Sequence, residues 1–268
     1  MPVIDSCNRI PTRRVVATLV CLGALTVGCD RQTRARSSGT TTTTAAPSCV
    51  DGVGRDVTAL VERQRILVHL PACYDAHPDQ RYPTVYLIHG AGADETQWVD
   101  IGMTSQADRL TRAGATAPSV LVMPDEGDSS SGDEANDIVT RVLPWVDASF
   151  RTIRSRRDRV IAGISRGGGA ALRLGGSRAD LFGAVAGHSA TIPGDISSVA
   201  RSLRPLDGHV RLDAGNRDPL RVGLRALAET ARRDGVTVTF VVGDGRHDRA
   251  YWRRQVPAYL AFYSSNWP

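Results

Sequence analysis

The sequence predicts an α/β domain: a mostly parallel β-sheet covered by helices on both faces, with an antiparallel edge on its N-terminal side. Short and almost continuously apolar runs recur from Cys49 onward, as expected for strands that are buried on both faces. Amphipathic stretches with helical periodicity separate most of these runs, and this alternation is typical of an open sheet with helical crossovers. The opening runs have no helix between them, so we expect them to form the antiparallel edge.

Seven apolar runs are predicted as strands. In chain order they are 66–70 (ILVHL), 84–88 (TVYLI), 119–123 (SVLVM), 159–164 (RVIAGI), 183–188 (GAVAGH), 209–215 (HVRLDAG) and 236–242 (VTVTFVV). The predicted helices are 106–112, 133–150, one that begins just after Ser165, 220–233 and 250–263. No internal repeat is visible, and residues 49–268 are enough for one domain of ordinary size.

Residues 1–28 are predicted to be an export signal that does not belong to the fold. Arg13 and Arg14 precede the apolar run VVATLVCLGALTVG, which is shorter than the roughly 20 residues needed to span a bilayer. The run ends in LTVGC, which resembles the lipobox of bacterial lipoproteins and implies lipid attachment to Cys29. An ordinary cleaved secretory signal is the alternative, and the paired arginines leave both Sec and twin-arginine export open.

Residues 29–48 are predicted to be a disordered, Thr-rich tether with a flexible reach of roughly 25 Å. Beyond it, Cys49 and Cys73 are the two cysteines of the domain, and in an oxidising compartment we expect them to form one disulfide. Two buried free thiols are the alternative.

The net charge of +5 does not indicate a nucleic-acid partner. Six of the 33 basic and two of the 28 acidic residues precede Cys49, which leaves 27 basic against 26 acidic side chains in the domain. A nearly neutral domain lacks the basic surface that nucleic-acid binding requires.

The segment GISRGGG, residues 163–169, predicts a nucleophile at Ser165. A buried strand leads into the serine and a stretch of small residues leads out into a helix, so the backbone would bend sharply and expose the hydroxyl. The same bend would aim the backbone N–H of Arg166 at the hydroxyl, next to the positive end of the helix dipole. A tight glycine turn that carries a surface serine is the alternative.

A serine hydroxyl needs a base and a group that orients the base, and in this kind of strand–turn–helix the acid follows the serine and the histidine comes last. His247 is the only histidine in a loop near the C-terminus. Asp218, in the loop after the strand at 209–215, is the predicted acid, and Asp213, inside that strand, is the less favoured alternative. Asp248 adjoins His247 in sequence and cannot easily present its carboxylate to the ring.

The loop after the strand at 84–88 is predicted to supply a second oxyanion donor, the N–H of Ala91, although a merely flexible turn is the alternative. His89 and His188 end strands on the same rim, so both are predicted to line the substrate pocket. Asp125 is predicted to line it too, at the start of a polar loop that would roof it.

Taken together, the motifs YPTVYLIHGAGADETQW, GISRGGGAAL, LDAGNRD and GRHDRAYWRRQVPAYLAFY resemble the esterase-D branch of the α/β-hydrolases, a group that includes feruloyl esterases, enterochelin esterases and mycolyltransferases. The resemblance covers about residues 65–267. Trp252 matches a tryptophan five residues after the histidine. Arg249 departs from the pattern, because the family often has a tryptophan there, and the nearby pocket wall is expected to differ.

The resemblance implies the α/β-hydrolase fold and ester chemistry through an acyl-enzyme on Ser165, with neither a metal nor an organic cofactor. It also implies that His247 is the base, that Asp218 orients it, and that the Arg166 and Ala91 amides bind the oxyanion. We therefore expect an exported serine esterase that acts on a small-molecule, lipid or sugar ester.

Two alternatives remain open at the level of sequence. An acyltransferase of the mycolyltransferase type would use the same residues, and a non-catalytic surface lipoprotein would keep only the fold. In either case we expect no nucleic-acid partner. We expect the chain either to be lipid-anchored to the outer face of the bacterial membrane, which it would contact only through that anchor, or to be secreted.

Overall fold

Eight strands form one sheet in the order β1-β2-β4-β3-β5-β6-β7-β8. The computed structural model describes residues 52–126, 136–206 and 208–267, all of them within the same compact unit of the chain. The strands are β1 (Arg55–Val61), β2 (Gln64–Leu70), β3 (Thr84–Ile88), β4 (Val120–Pro124), β5 (Arg159–Ile164), β6 (Ala184–His188), β7 (Val210–Gly215) and β8 (Val238–Gly243). The predicted signal and tether, together with Cys29 and Cys49, lie outside the described residues.

The α/β class with an antiparallel N-terminal edge is confirmed. Strand β1 is antiparallel to β2, and β2 is antiparallel to β4, whereas the remaining pairs are parallel. The run at 84–88 does not belong to that edge, because β3 lies inside the sheet and is parallel to both of its neighbours. Strand β1 was not predicted, since its side chains are exposed or half-buried throughout and no apolar run marks it.

Seven α-helices lie in the described parts of the chain. They are α1 (Gln97–Asp100), α2 (Met103–Arg112), α3 (Leu143–Ser149), α4 (Arg166–Ser177), α5 (Ile196–Ser202), α6 (Arg221–Arg233) and α7 (Arg249–Ser264). The predicted helix at 133–150 is not one regular helix, because a π-helical turn, Ile138–Val142, precedes α3. Pro144 follows that turn, and it has no N–H to donate to the preceding helical turn. The short helices α1 and α5 were not predicted.

The helices cover both faces of the sheet, as predicted. Along β3 the side chains alternate, so that Tyr86 joins the core under α3, α4, α5 and α6. Its neighbours Val85 and Leu87 join the second core, under α1, α2 and α7. Both cores are buried, so the sheet is a fixed platform, and the loops after β3, β5, β6, β7 and β8 leave it at the same edge because these strands are parallel. Within the described residues, no helix has the length and apolar character needed to cross a bilayer.

Candidate active site

Ser165 lies in a strained turn between β5 and α4. Its φ is 56° and its ψ is −118°, a conformation that costs a non-glycine residue about 1–3 kcal/mol and persists only where surrounding bonds impose it. Here the Ser165 N–H donates to the carbonyl of His188 at 3.0 Å, and the Ser165 carbonyl accepts from the Gly169 and Thr191 N–H groups at 3.1 and 3.0 Å. The backbone on both sides of the serine is therefore held in place.

The glycines around Ser165 allow the new helix to pass close to the sheet. A Cβ atom at Gly163 would lie 2.2 Å from the carbonyl oxygen of Gly167. A Cβ atom at Gly167 would lie 2.2 Å from the carbonyl oxygen of His89, at the end of the neighbouring strand. Any side chain at either position would push α4 away from the sheet and displace the serine.

Three side chains from separate loops form a continuous hydrogen-bonded line. The Ser165 hydroxyl lies 3.0 Å from Nε2 of His247, which is 82 positions away in sequence. On the other side of the ring, Nδ1–H of His247 donates to Oδ2 of Asp218 at 3.0 Å. The Asp218 side chain is fully buried, whereas that of His247 is 28% exposed, so solvent reaches part of the ring. This arrangement can pass a proton from the hydroxyl to the ring.

The loops that carry Asp218 and His247 are bonded to each other. The Asn216 N–H donates to the Gly243 carbonyl at 2.7 Å, and the Arg217 N–H donates to the Gly245 carbonyl at 2.9 Å. The Gly245 N–H returns a bond to the side-chain oxygen of Asn216 at 3.1 Å. Asp218 and His247 are thus held in register by bonds between their loops that do not involve their own side chains.

The other candidate acids have different positions. Asp248 caps α7, because its Oδ1 accepts from the Tyr251 N–H at 2.8 Å. Asp213 is fully buried and bonds His188, not His247. Of the three aspartates, Asp218 is the one that the structure brings to His247.

The loop after β3 lies beside the serine. A Cβ atom at Gly90 would lie 3.5 Å from Cβ of Ser165, and the Gly90 N–H donates to the side-chain oxygen of Gln97 at 2.7 Å. The next residue, Ala91, is exposed at the start of a turn. Across the site, Arg166 opens α4, where N–H groups have no acceptor within their own helix. Sequence reasoning missed Gln97, because nothing in its local pattern indicates that it would hold this loop.

The three predicted pocket residues lie at different depths. His89 is buried: its Nδ1–H donates to the Gly90 carbonyl and its Nε2 accepts from the Glu126 N–H, both at 2.8 Å. It therefore links the loop after β3 to the loop after β4. Asp125 is partly exposed and pairs with Arg65 at 3.1 Å. His188 is completely buried. His188 ends β6 and His89 directly follows β3, so both stand on the predicted rim, but their side chains are buried in the protein.

Trp252 packs against His247. The edge of one ring meets the face of the other, with the centres of the Trp252 and His247 rings 5.2 Å apart. The indole N–H donates to the hydroxyl of Ser189 at 3.1 Å, which fixes the tryptophan. Within the described residues, no cluster of three or more His, Cys, Asp or Glu side chains is arranged to hold a metal ion.

Two curated relatives align with part of the chain. Esterase Rv1288 from Mycobacterium tuberculosis is 30% identical over 121 residues, which is 40% of this chain and 25% of that protein. The endo-1,4-beta-xylanase/feruloyl esterase of Xylanibacter ruminicola is 28% identical over 115 residues, which is 39% of this chain and 16% of that protein. The alignments thus span a quarter or less of each relative.

Solved structures share the fold over most of the chain. A ferulic acid esterase superposes with a TM-score of 0.72 at 24% identity, covering 81% of this chain and all of the other. The S-formylglutathione hydrolase FrmB from Staphylococcus aureus superposes with a TM-score of 0.64 at 20% identity, covering 82% of this chain and 99% of the other. Residues 58–263 match the model of the esterase family described as "Putative esterase". This chain belongs to that family and has an α/β-hydrolase fold.

Proposed function

We propose that this protein is a serine esterase that hydrolyses a carboxylic ester through an acyl-enzyme on Ser165. The observation that carries the proposal is the line from the Ser165 hydroxyl through His247 to Asp218, with both contacts at 3.0 Å, in a chain of the esterase family. The strained turn adds support, because strain of this kind is held most often where a side chain must be presented for chemistry.

In the first half-reaction, Oγ of Ser165 attacks the ester carbonyl carbon while Nε2 of His247 takes the hydroxyl proton. The Asp218 carboxylate holds the ring and stabilises its charged form. The N–H groups of Arg166 and Ala91 donate to the oxyanion, and one such donor is worth about 3–4 kcal/mol in the transition state. The bond to the alcohol oxygen then breaks, His247 returns the proton to that oxygen, and the acyl group stays on Ser165.

In the second half-reaction, water attacks the acyl carbon and His247 takes one of its protons. The bond to Oγ breaks, the proton returns to Ser165, and the carboxylic acid leaves. Because the His247 side chain is partly exposed, water can approach the ring that would activate it. If an alcohol attacked instead of water, the same residues would transfer the acyl group.

Small esters are the proposed substrates. The related structures include a feruloyl esterase module complexed with sinapinate and an esterase complexed with ferulic acid. A panel that contains methyl ferulate, p-nitrophenyl acetate and longer-chain p-nitrophenyl esters therefore tests the acyl preference. Adding a sugar or lipid alcohol to the same assays separates hydrolysis from acyl transfer.

The nucleophile is tested by Ser165→Ala. We expect this variant to lose p-nitrophenyl acetate turnover and fluorophosphonate labelling while its circular dichroism spectrum stays unchanged. Ser198→Ala is the matched control, because Ser198 is exposed on α5 and its hydroxyl accepts from Arg201 of the same helix. Undiminished turnover by Ser165→Ala would refute the proposal, whereas a wild type without turnover would favour a non-catalytic surface protein.

Export with a lipid on Cys29 belongs to the same proposal. The apolar run before Cys29 supports it. The predicted Cys49–Cys73 disulfide belongs with export, because such bonds persist in oxidising compartments. In a bacterial host, labelled palmitate is expected to enter the full chain but not a Cys29→Ala variant. Equal labelling of both chains, or of neither, would contradict lipidation at this residue.

A further inference from the structure

A buried carboxylate lies among aromatic rings in the core that α7 covers. Asp213 on β7, His188 on β6, and Tyr251, Tyr259 and Tyr263 on α7 are all completely buried. We call these five residues the Asp213 cluster. The proposed reaction uses none of their side chains, yet a buried carboxylate is costly unless other groups satisfy it.

Hydrogen bonds satisfy both oxygens of the carboxylate. Oδ1 of Asp213 accepts from the Tyr251 hydroxyl at 3.1 Å and from the Tyr259 hydroxyl at 3.0 Å. Oδ2 accepts from Nδ1–H of His188 at 2.6 Å. This fixes the tautomer of His188, so its Nε2 accepts from the Tyr263 hydroxyl at 2.8 Å.

The groups that bond the Asp213 carboxylate stay neutral. Burial lowers the pKa of His188, which keeps the ring neutral near pH 7 despite the adjacent carboxylate. Burial raises the pKa of Tyr251 and the negative charge of Asp213 raises it further, so the hydroxyl stays a donor. The Arg211 guanidinium, with Nε 3.6 Å from Oδ2, offsets the charge.

The cluster joins the three elements that carry Ser165, Asp218 and His247. The carbonyl of His188 accepts from the Ser165 N–H at 3.0 Å. Asp213 lies on β7, the strand that leads into the Asp218 loop. Tyr251 lies in the first turn of α7, four residues after His247.

We infer that Asp213 is a positioning residue: through Tyr251 it fixes the start of α7, and thereby sets where His247 stands relative to Ser165. The inference rests on the proposed function. A displacement of 1 Å at a reacting group costs about 100-fold in rate, so the start of this helix must be held closely. Trp252, one residue further along, contacts the His247 ring. A shift in this turn would therefore move the ring both through the main chain and through the Trp252 contact.

Two tyrosines provide a matched pair for the test. Tyr251 and Tyr259 are both completely buried, and both donate to the same oxygen of Asp213 at nearly the same distance. They differ in position, because Tyr259 lies about two turns further along α7 and away from His247. A role limited to stability predicts the same effect for the loss of either hydroxyl.

The experiment compares Tyr251→Phe and Tyr259→Phe in the full domain. We expect Tyr251→Phe to lower kcat by about 10- to 100-fold with KM unchanged, and to slow fluorophosphonate labelling of Ser165 by the same factor. Tyr259→Phe is expected to stay within about twofold of the wild type, although the two variants lose similar amounts of thermal stability. The low-field NMR resonance of Nδ1–H of His247 is expected to shift or broaden in Tyr251→Phe alone.

Equal losses of kcat in the two variants, or an unmoved resonance in Tyr251→Phe, would overturn the positioning role. Asp213→Asn provides a second arm, and it is expected to lower kcat at least as much as Tyr251→Phe wherever it remains folded. Failure of the proposed function would look different, because Ser165→Ala would then keep its turnover. Loss of turnover in Ser165→Ala together with equal tyrosine effects would reject the positioning role alone.

Discussion

Two histidine–aspartate pairs of the molecule are bonded in the same way but lie in different surroundings. His247 and His188 each bond an aspartate through Nδ1, at 3.0 and 2.6 Å. At His188 the other nitrogen is bonded to a fixed tyrosine hydroxyl and no part of the ring reaches solvent. At His247 the other nitrogen faces the Ser165 hydroxyl and part of the ring is exposed. The proposed chemistry therefore belongs to His247, whose second nitrogen meets the Ser165 hydroxyl, and not to His188.

The largest expected effect is on the exposed pair. His247→Ala is expected to lower kcat for p-nitrophenyl acetate on the order of 10⁵- to 10⁶-fold, because the serine loses its base. Since this side chain is partly exposed, the unfolding midpoint in urea should change little. Steady-state kinetics and urea titrations check both statements. Retained fluorophosphonate labelling would show that another group activates Ser165.

The buried pair is expected to respond in the opposite way. His188→Ala removes the closest donor to the Asp213 carboxylate and leaves a cavity, so we expect it to cost about 3 kcal/mol or more of unfolding free energy. Urea unfolding of this variant beside His247→Ala measures the contrast. A His188→Ala variant as stable as the wild type would show that water or Arg211 replaces the ring without cost.

A third histidine, His69, extends the comparison to the pH dependence of stability. His69 bonds Asp56 through Nδ1 at 2.7 Å and Asp108 through Nε2 at 3.3 Å, and only the charged ring can donate to both. Burial lowers the pKa of His69, but the hydrogen bonds to Asp108 and Asp56 outweigh burial and leave the pKa above its ordinary 6.5. The stability from this contact is therefore fully present below pH 6.5 and is lost as pH rises through the raised pKa.

His188 has the opposite sign, because its lowered pKa means that the unfolded chain takes up a proton that the folded chain does not. Its contribution is lost as pH falls below the ordinary pKa of 6.5. Unfolding free energies of the wild type and His69→Gln between about pH 5 and 9 separate the two histidines. In the wild type we expect the unfolding free energy to fall both above pH 6.5 and at low pH. In His69→Gln the fall above pH 6.5 should be lost and the fall at low pH should remain. An unchanged decline above pH 6.5 would contradict the role given to His69.

Much of the fold could be predicted because buried parallel strands leave apolar runs that are visible in sequence. Strand β1 left no such run. Ser165, Asp218 and His247 could be located because the turn motif and the order of loops restrict where they stand. The direction of His89 and His188 could not be predicted, since a place at the end of a strand does not say which way the last side chain points.

The Asp213 cluster also lay beyond sequence reasoning. Asp213 is separated from His188, Tyr251 and Tyr259 by 25, 38 and 46 positions, and no short motif spans such distances. The pairing of β6 with β7 places His188 beside Asp213, and the packing of α7 against the sheet brings the tyrosines to them. The predictions for Cys29 and Cys49 concern residues outside the described ranges and stay predictions.

The hydrogen bonds between residues 216–217 and 243–245 have a practical consequence for anyone who wishes to alter this protein. The two segments form one structural unit, because each accepts hydrogen bonds that the other donates. A chimera that replaces Asn216 alone loses the side-chain acceptor for the Gly245 N–H, whereas exchanging both segments at once brings in a matched pair. Libraries that diversify this corner of the protein should therefore vary the two stretches jointly.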